Sequence, residues 1–233
     1  MAALVASEKQ IQSVCASALK NGRQITHADF FGIGVARRSM ALSAGFRTLV
    51  EAKNGIAAVP LVRIHLDTVL RLYAAYFVKD HHQFCYDVFQ GMQVDRMKDD
   101  DGNLMKDGYL RDRVAKSNPW IVEVYKKTSG AVHFSNRHIF EAVRPKNDEE
   151  NAEIGDFSMF IGSEDVFRAP DDYREPMRCM HHLNLIIGFG LADWFGRMCA
   201  PDGPTMDAEE YWAKFDAQEA AIDEDEDPAF TTT

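Results

Sequence analysis

The stretch PLVRIHLDTVLRLYAAYFVKD, Pro60–Asp80, decides the fold. Its apolar residues run nearly all round a helical wheel, the pattern of a helix covered on every side. Proline suits the first turn of a helix, where its missing N–H costs no hydrogen bond, so Pro60 is read as the start. A helix of this kind needs other helices around it, and the rest of the chain supplies them. Tyr173–Met198, introduced by Pro170 and Asp171-Asp172, carries LNLIIGFGLADWF and is expected to pack against it. Asp29 can cap a second long helix running to Lys53, with Asn54-Gly55 as its stop. Gly32, Gly34 and Gly45 each cost that helix about 1 kcal/mol relative to alanine. They fit where a neighbouring helix packs closely. Shorter helices are predicted at Ser7–Leu19, closed by Asn21-Gly22, and at Phe84–Met92, Tyr109–Lys116 and Trp120–Thr128.

Two segments break the helical period. DDDGN, Asp99–Asn103, is a turn signal that lacks the ligand alternation and closing glutamate of an EF-hand. HIFEAV, His138–Val143, and Phe157–Ile161 alternate apolar and polar residues and predict a small antiparallel hairpin. The expected architecture is therefore mostly α: an up-and-down helical bundle with one small β-hairpin, as a single domain over residues 1–204. An acidic C-terminal helix and disordered tail are expected over 205–233.

Composition narrows the function. The chain has 233 residues, 46% hydrophobic and 27% charged, enough to bury roughly 70% of its unfolded surface without a disulfide or metal staple. The net charge is −10. From Met206 onward ten acidic residues stand against Lys214, so the tail carries −9 and the remainder about −1. Broad non-specific DNA binding is thereby disfavoured. Cys15, Cys85, Cys179 and Cys199 form no C-x-x-C and read as reduced thiols, and no metal site or cofactor is expected. No apolar run reaches the ~18–20 residues of a membrane span. MAALVASEKQIQ has no basic leader, so a cytoplasmic protein is expected. Phosphate-loop, dinucleotide, serine-elbow and zinc-protease motifs are missing.

One oddity lies in the opening stretch. Arg63, Asp67 and Arg71, spaced four and four, put a charged row on an otherwise apolar helix. Burying such charges without partners costs several kcal/mol each. The row therefore faces either solvent or a polar cavity that another segment completes. KTSGAVHFSNRHIF, Lys127–Phe140, is the candidate segment, with Ser129, His133 and Ser135 able to bond the row. Two readings follow from it: a buried structural network, or the lining of a ligand or catalytic pocket.

The arginine–acid helix, Arg63-Ile-His-Leu-Asp67, followed some sixty residues later by TSGAVHFS, resembles a group of uncharacterised bacterial helical proteins akin to HEPN domains. The resemblance covers about residues 40 to 200. It implies a bundle that dimerises and a metal-independent ribonuclease of the toxin or phage-defence kind, acting through an Arg-x(4–6)-His motif. Here Arg174-EPMRCM-His181 fits that spacing, although Glu175 stands where active members often have Asn, Asp or His. Arg174, Arg178, His181 and His182 would be the catalytic residues: imidazole as acid and base on RNA, guanidinium for the phosphorane charge. The alternative from another class is a non-catalytic binding or scaffold module whose Arg/Asp/His network is structural.

Overall fold

The computed structural model describes residues 1–19, 26–146 and 156–198, with residue 213 alone beyond them. The readings placed on Asn21-Gly22, on Cys199 and on the 205–233 segment lie outside the described residues. Among those described, eight α-helices follow in order: α1 Ala2–Leu19, α2 His27–Glu51, α3 Gly55–Ala74, α4 His81–Phe89, α5 Asp107–Val114, α6 Trp120–Val132, α7 Asn136–Ala142 and α8 Arg174–Asp193. Two short strands, β1 Val143–Pro145 and β2 Phe157–Met159, pair antiparallel with Val143 opposite Met159 and Pro145 opposite Phe157. The protein is a mostly helical bundle with one small hairpin.

α3 is the central element, as its sequence demands. It is flanked by α2, α5, α6 and α8, and α1 lies on α2 and α8. Leu66, Val69, Leu70 and Leu72 are fully buried, as are Leu183, Ile186 and Ile187 of α8. His65 meets Asn184 and the Tyr76 hydroxyl donates to the Gly190 carbonyl, so α3 and α8 run in one direction. Arg38 reaches Thr68 while Gly45 sits against Leu61, which makes α2 antiparallel to α3.

Boundaries moved for local reasons. α3 begins at Gly55, not Pro60. Lys53 adopts φ 53°, ending α2 in a left-handed turn. Asn54 then caps α3 by accepting the Ala57 N–H at 3.1 Å. Pro60 lies inside the helix, where it gives no N–H to the Ile56 carbonyl. α3 ends at Ala74 in tightened i-to-i+3 bonds, and Asp80 caps α4, so His81-His82 open a helix. Thr26 is the N-cap of α2, and Asp29 accepts from both its backbone N–H and its hydroxyl. Ser7 does not cap α1. It is buried inside that helix and donates to the Leu4 carbonyl. Ser129-Gly130 does not end α6. The Ser135 N–H donates to His138 Nδ1, a capping contact that starts α7 where alternation had suggested a strand, so the hairpin begins later, at Val143.

Gly32 answers to close packing: a Cβ there would lie 2.8 Å from Phe195 and 3.0 Å from buried Trp194. Trp194 is held by donating to the Ala28 carbonyl at 2.9 Å, in the π-helical turn that continues α8. Gly34, two residues on, has nothing within 4 Å of its Cβ position, so close packing is not its reason. Gly55 gives its N–H to Asp165 at 2.6 Å. Asp165 also binds Arg168 and Tyr173, and Arg168 binds Glu141. This nearly buried ionic cluster fixes the α7–hairpin excursion to the first turn of α3, where a carboxylate is favoured.

Candidate functional site

Arg63, Asp67 and Arg71 form a half-buried row on α3. Arg71 Nη2 pairs with Asp67 at 2.9 Å, as the four-residue spacing predicts. Arg63 instead reaches Asp107, at the start of α5, at 3.3 Å, and lies 4.1 Å over the Tyr125 ring. Asp107 also accepts from Arg71. On the other side Arg38 of α2 gives its Nε to Thr68 at 3.0 Å and reaches Asp67 at 3.4 Å. Three guanidinium groups thus share two carboxylates, leaving one positive charge in excess. Arg71 Nη1 is buried and has no acceptor among the described residues.

The segment expected to complete this array does not. Ser129 donates to the Tyr125 carbonyl at 2.6 Å and Ser135 to the Gly130 carbonyl at 2.8 Å. His133, the residue that follows α6, is exposed. No hydrogen bond among the described residues joins Ser129, His133 or Ser135 to the row. The cause is the extra turn of α6 through Val132: Ser129 spends its hydroxyl on its own helix, Ser135 spends its on the last turn of α6, and His133 is carried to the surface.

Arg38, Asp67, Thr68 and Arg71 form one end of a groove of about 290 Å³ between α2, α3 and α4. α2 contributes His27, Phe30, Phe31, Gly34 and Val35, spaced as one face of a helix. α4 contributes Cys85, Val88 and Phe89. At the mouth Phe30 stacks on Phe89, ring centres 6.0 Å apart, with His27 edge-on to both. Phe30 and Phe89 are nonetheless 50% and 59% exposed. Sequence reading missed Arg38, Thr68, Asp107 and this aromatic rim. The spacing 27, 30, 31, 34, 35, 38 was a visible signal. Asp107 carried none, because its partners are 36 and 44 residues away.

The other candidate residues lie on α8. Arg174 is exposed and pairs with Asp171 at 3.1 Å. His181, two turns and about 10 Å along the axis, is buried. Burial, then the neighbouring His182 and the chain's amino terminus, push its imidazole down to about 4. Arg178 is exposed, and half-buried His182 stands edge-on to Trp120 at 5.7 Å. Burial and Glu175 push the Cys179 thiol up to about 11. The Asp99–Asn103 turn is organised by Asp99 itself. Burial opposes its charge, but Tyr109, the N–H groups of Asn103 and Asp101, and Arg113 outweigh it and hold the carboxyl below its usual range.

Among the described residues no group of His, Cys, Asp and Glu is arranged to hold a metal ion, and no helix is long and apolar enough to cross a membrane. The groove sets the guanidinium groups of Arg38 and Arg71 beside an open apolar face, with His27 and Cys85 also in its lining. Set against protein-family models, curated proteins and solved structures, the chain finds no match.

Proposed function

We propose that this chain is a non-catalytic binding module and that the groove between α2, α3 and α4 is its ligand site. One observation carries the reading: a concave, mostly apolar site with a few convergent polar groups at one end, the usual make-up of a small-ligand site. Metal-free RNA cleavage asks for an imidazole and a guanidinium on one accessible surface. Arg174 is paired with Asp171 and His181 is buried, which leaves exposed Arg178 and half-buried His182, four apart on α8, as the pair such cleavage would use. The test is a fragment screen by protein NMR run beside a labelled-RNA cleavage assay. Shifts are expected at groove residues, absent in Gly34→Leu, with the RNA left intact. Cleavage lost in Arg178→Ala and His182→Ala but kept in Gly34→Leu would replace this reading with the ribonuclease one.

The protein partner we propose is a second copy of the chain. Of fifteen exposed large apolar side chains among the described residues, eight fall within 132–166. They include Phe134 at 84% exposure and fully exposed Ile161, a concentration that on a soluble surface marks an interaction site. The segment also holds Arg137, Arg144 and Lys146 together with Asp156 and Glu164, so it carries both signs and can match itself across a two-fold axis. Light scattering after gel filtration should give twice the 26.3 kDa chain mass, and Ile161→Glu, which touches no core, should give the monomer. A monomeric wild type removes the dimer.

A further inference from the structure

We infer that the groove's ligand is a small monocarboxylate with a flat, apolar body, an aryl-alkyl acid in its simplest form. The inference rests on the groove being a ligand site and names what that site selects. Charge sets the head group. Arg38, Arg63 and Arg71 outnumber Asp67 and Asp107 by one, so a single negative charge balances the array. Asp67 would repel a second one. Arg38, half exposed and held only by Thr68 and a long contact to Asp67, can turn its planar fork toward a carboxylate. Shape sets the body. Phe30 and Phe89 present exposed ring faces at the mouth, and Val35, Val88 and Phe31 line the way in. A flat apolar group covering these faces removes them from water and stacks on rings already parallel. Volume sets the size. At about 290 Å³ the groove falls just below the roughly 300–1,000 Å³ of sites that hold drug-sized molecules. Gly34 lies between the two ends with open space where a side chain would be, so the middle of the groove is accessible to a ligand chain.

The test is calorimetry on the full chain with 3-phenylpropionate, its neutral primary amide and acetate. The acid should bind about tenfold or more tightly than the amide, the difference that one charge-assisted contact makes. Acetate, which has no body to cover the rings, should bind at least as weakly as the amide. Arg38→Gln should bring the acid to the level of the amide. Gly34→Leu should abolish binding of both while leaving the melting temperature unchanged or raised, since glycine disfavours a helix. Equal binding of acid and amide, both blocked by Gly34→Leu, would overturn the carboxylate inference and leave the groove as the site. Binding that Gly34→Leu does not disturb, or no binding of any probe, would overturn the groove reading itself and this inference with it.

Discussion

Asn184→Ala should lower the stability of this protein by about 3–4 kcal/mol, the scale at which buried polar networks fail when one member is removed. Asn184 is fully buried in the middle of α8 and ties together three other helices. Its amide nitrogen donates to Ser7 of α1 and Ser43 of α2, each at 2.9 Å, and its carbonyl oxygen faces His65 Nε2 of α3 at 2.9 Å. The orientation is fixed by what the serines already do. Ser7 donates to the Leu4 carbonyl and Ser43 to Glu8, so both hydroxyls need a donor. Only the amide NH₂ can be that donor, which leaves Oδ1 for His65. Glu8 passes the chain to the surface through two bonds from Arg47, both 3.0 Å. Removing the amide strands the His65 N–H in an apolar core and opens a cavity beside it. Urea unfolding of the wild type and variant measures the difference. Ser7→Ala, which takes away a single acceptor, should cost only about 1 kcal/mol. A loss below that figure for Asn184→Ala would show that the helices do not depend on the network.

The same network makes stability fall with acid. Because Asn184 accepts, His65 carries its proton on Nε2, and Nδ1 is a bare, buried nitrogen with no partner among the described residues. Charging the ring would put an N–H on Nδ1 with no acceptor among the described residues, in a site closed to bulk solvent. Burial therefore pushes His65 from its ordinary 6.5 down to about 4, against the pull of the Asn184 bond, with Arg38 adding to the fall. The unfolded chain takes up the proton first. The stability that neutral His65 contributes is complete above pH 6.5 and is lost as pH falls toward 4, at about 1.4 kcal/mol per unit, or ~3 kcal/mol in all. Buried His181, also pushed to about 4, acts in the same direction. His65→Gln keeps a side-chain N–H for Asn184 but cannot titrate. Urea midpoints at pH 7, 5.5 and 4.5 should diverge from those of the wild type, with the wild type declining more steeply. Parallel curves would mean that His65 does not titrate as its surroundings require.

These two residues show how unevenly the sequence speaks. His65 and Asn184 lie 119 positions apart, inside the two stretches whose apolar character announced the core. Their helices were legible because a continuous apolar circumference leaves a segment no arrangement but burial. Their polar bond was not, since nothing local marks which of many buried polar residues will meet. Pro60 shows the same limit at a boundary: its preference for a first turn is real, but the turn that ends α2 at Lys53 and the Asn54 cap start α3 five residues sooner.

The candidate site divides in the same way. The sequence by itself determined that the chain is a helical bundle built round α3 and that Arg63, Asp67 and Arg71 share one face of it, with Asp67 within reach of either arginine. Those facts follow from helical period and hydrophobicity, which act over neighbouring turns. Only the tertiary structure decided that Arg38 and Asp107 complete the row, that Ser129, His133 and Ser135 do not, and that Gly34 opens onto a groove. Such contacts depend on which faces of separate helices come together, and that is set by the summed packing of the whole core rather than by any one segment.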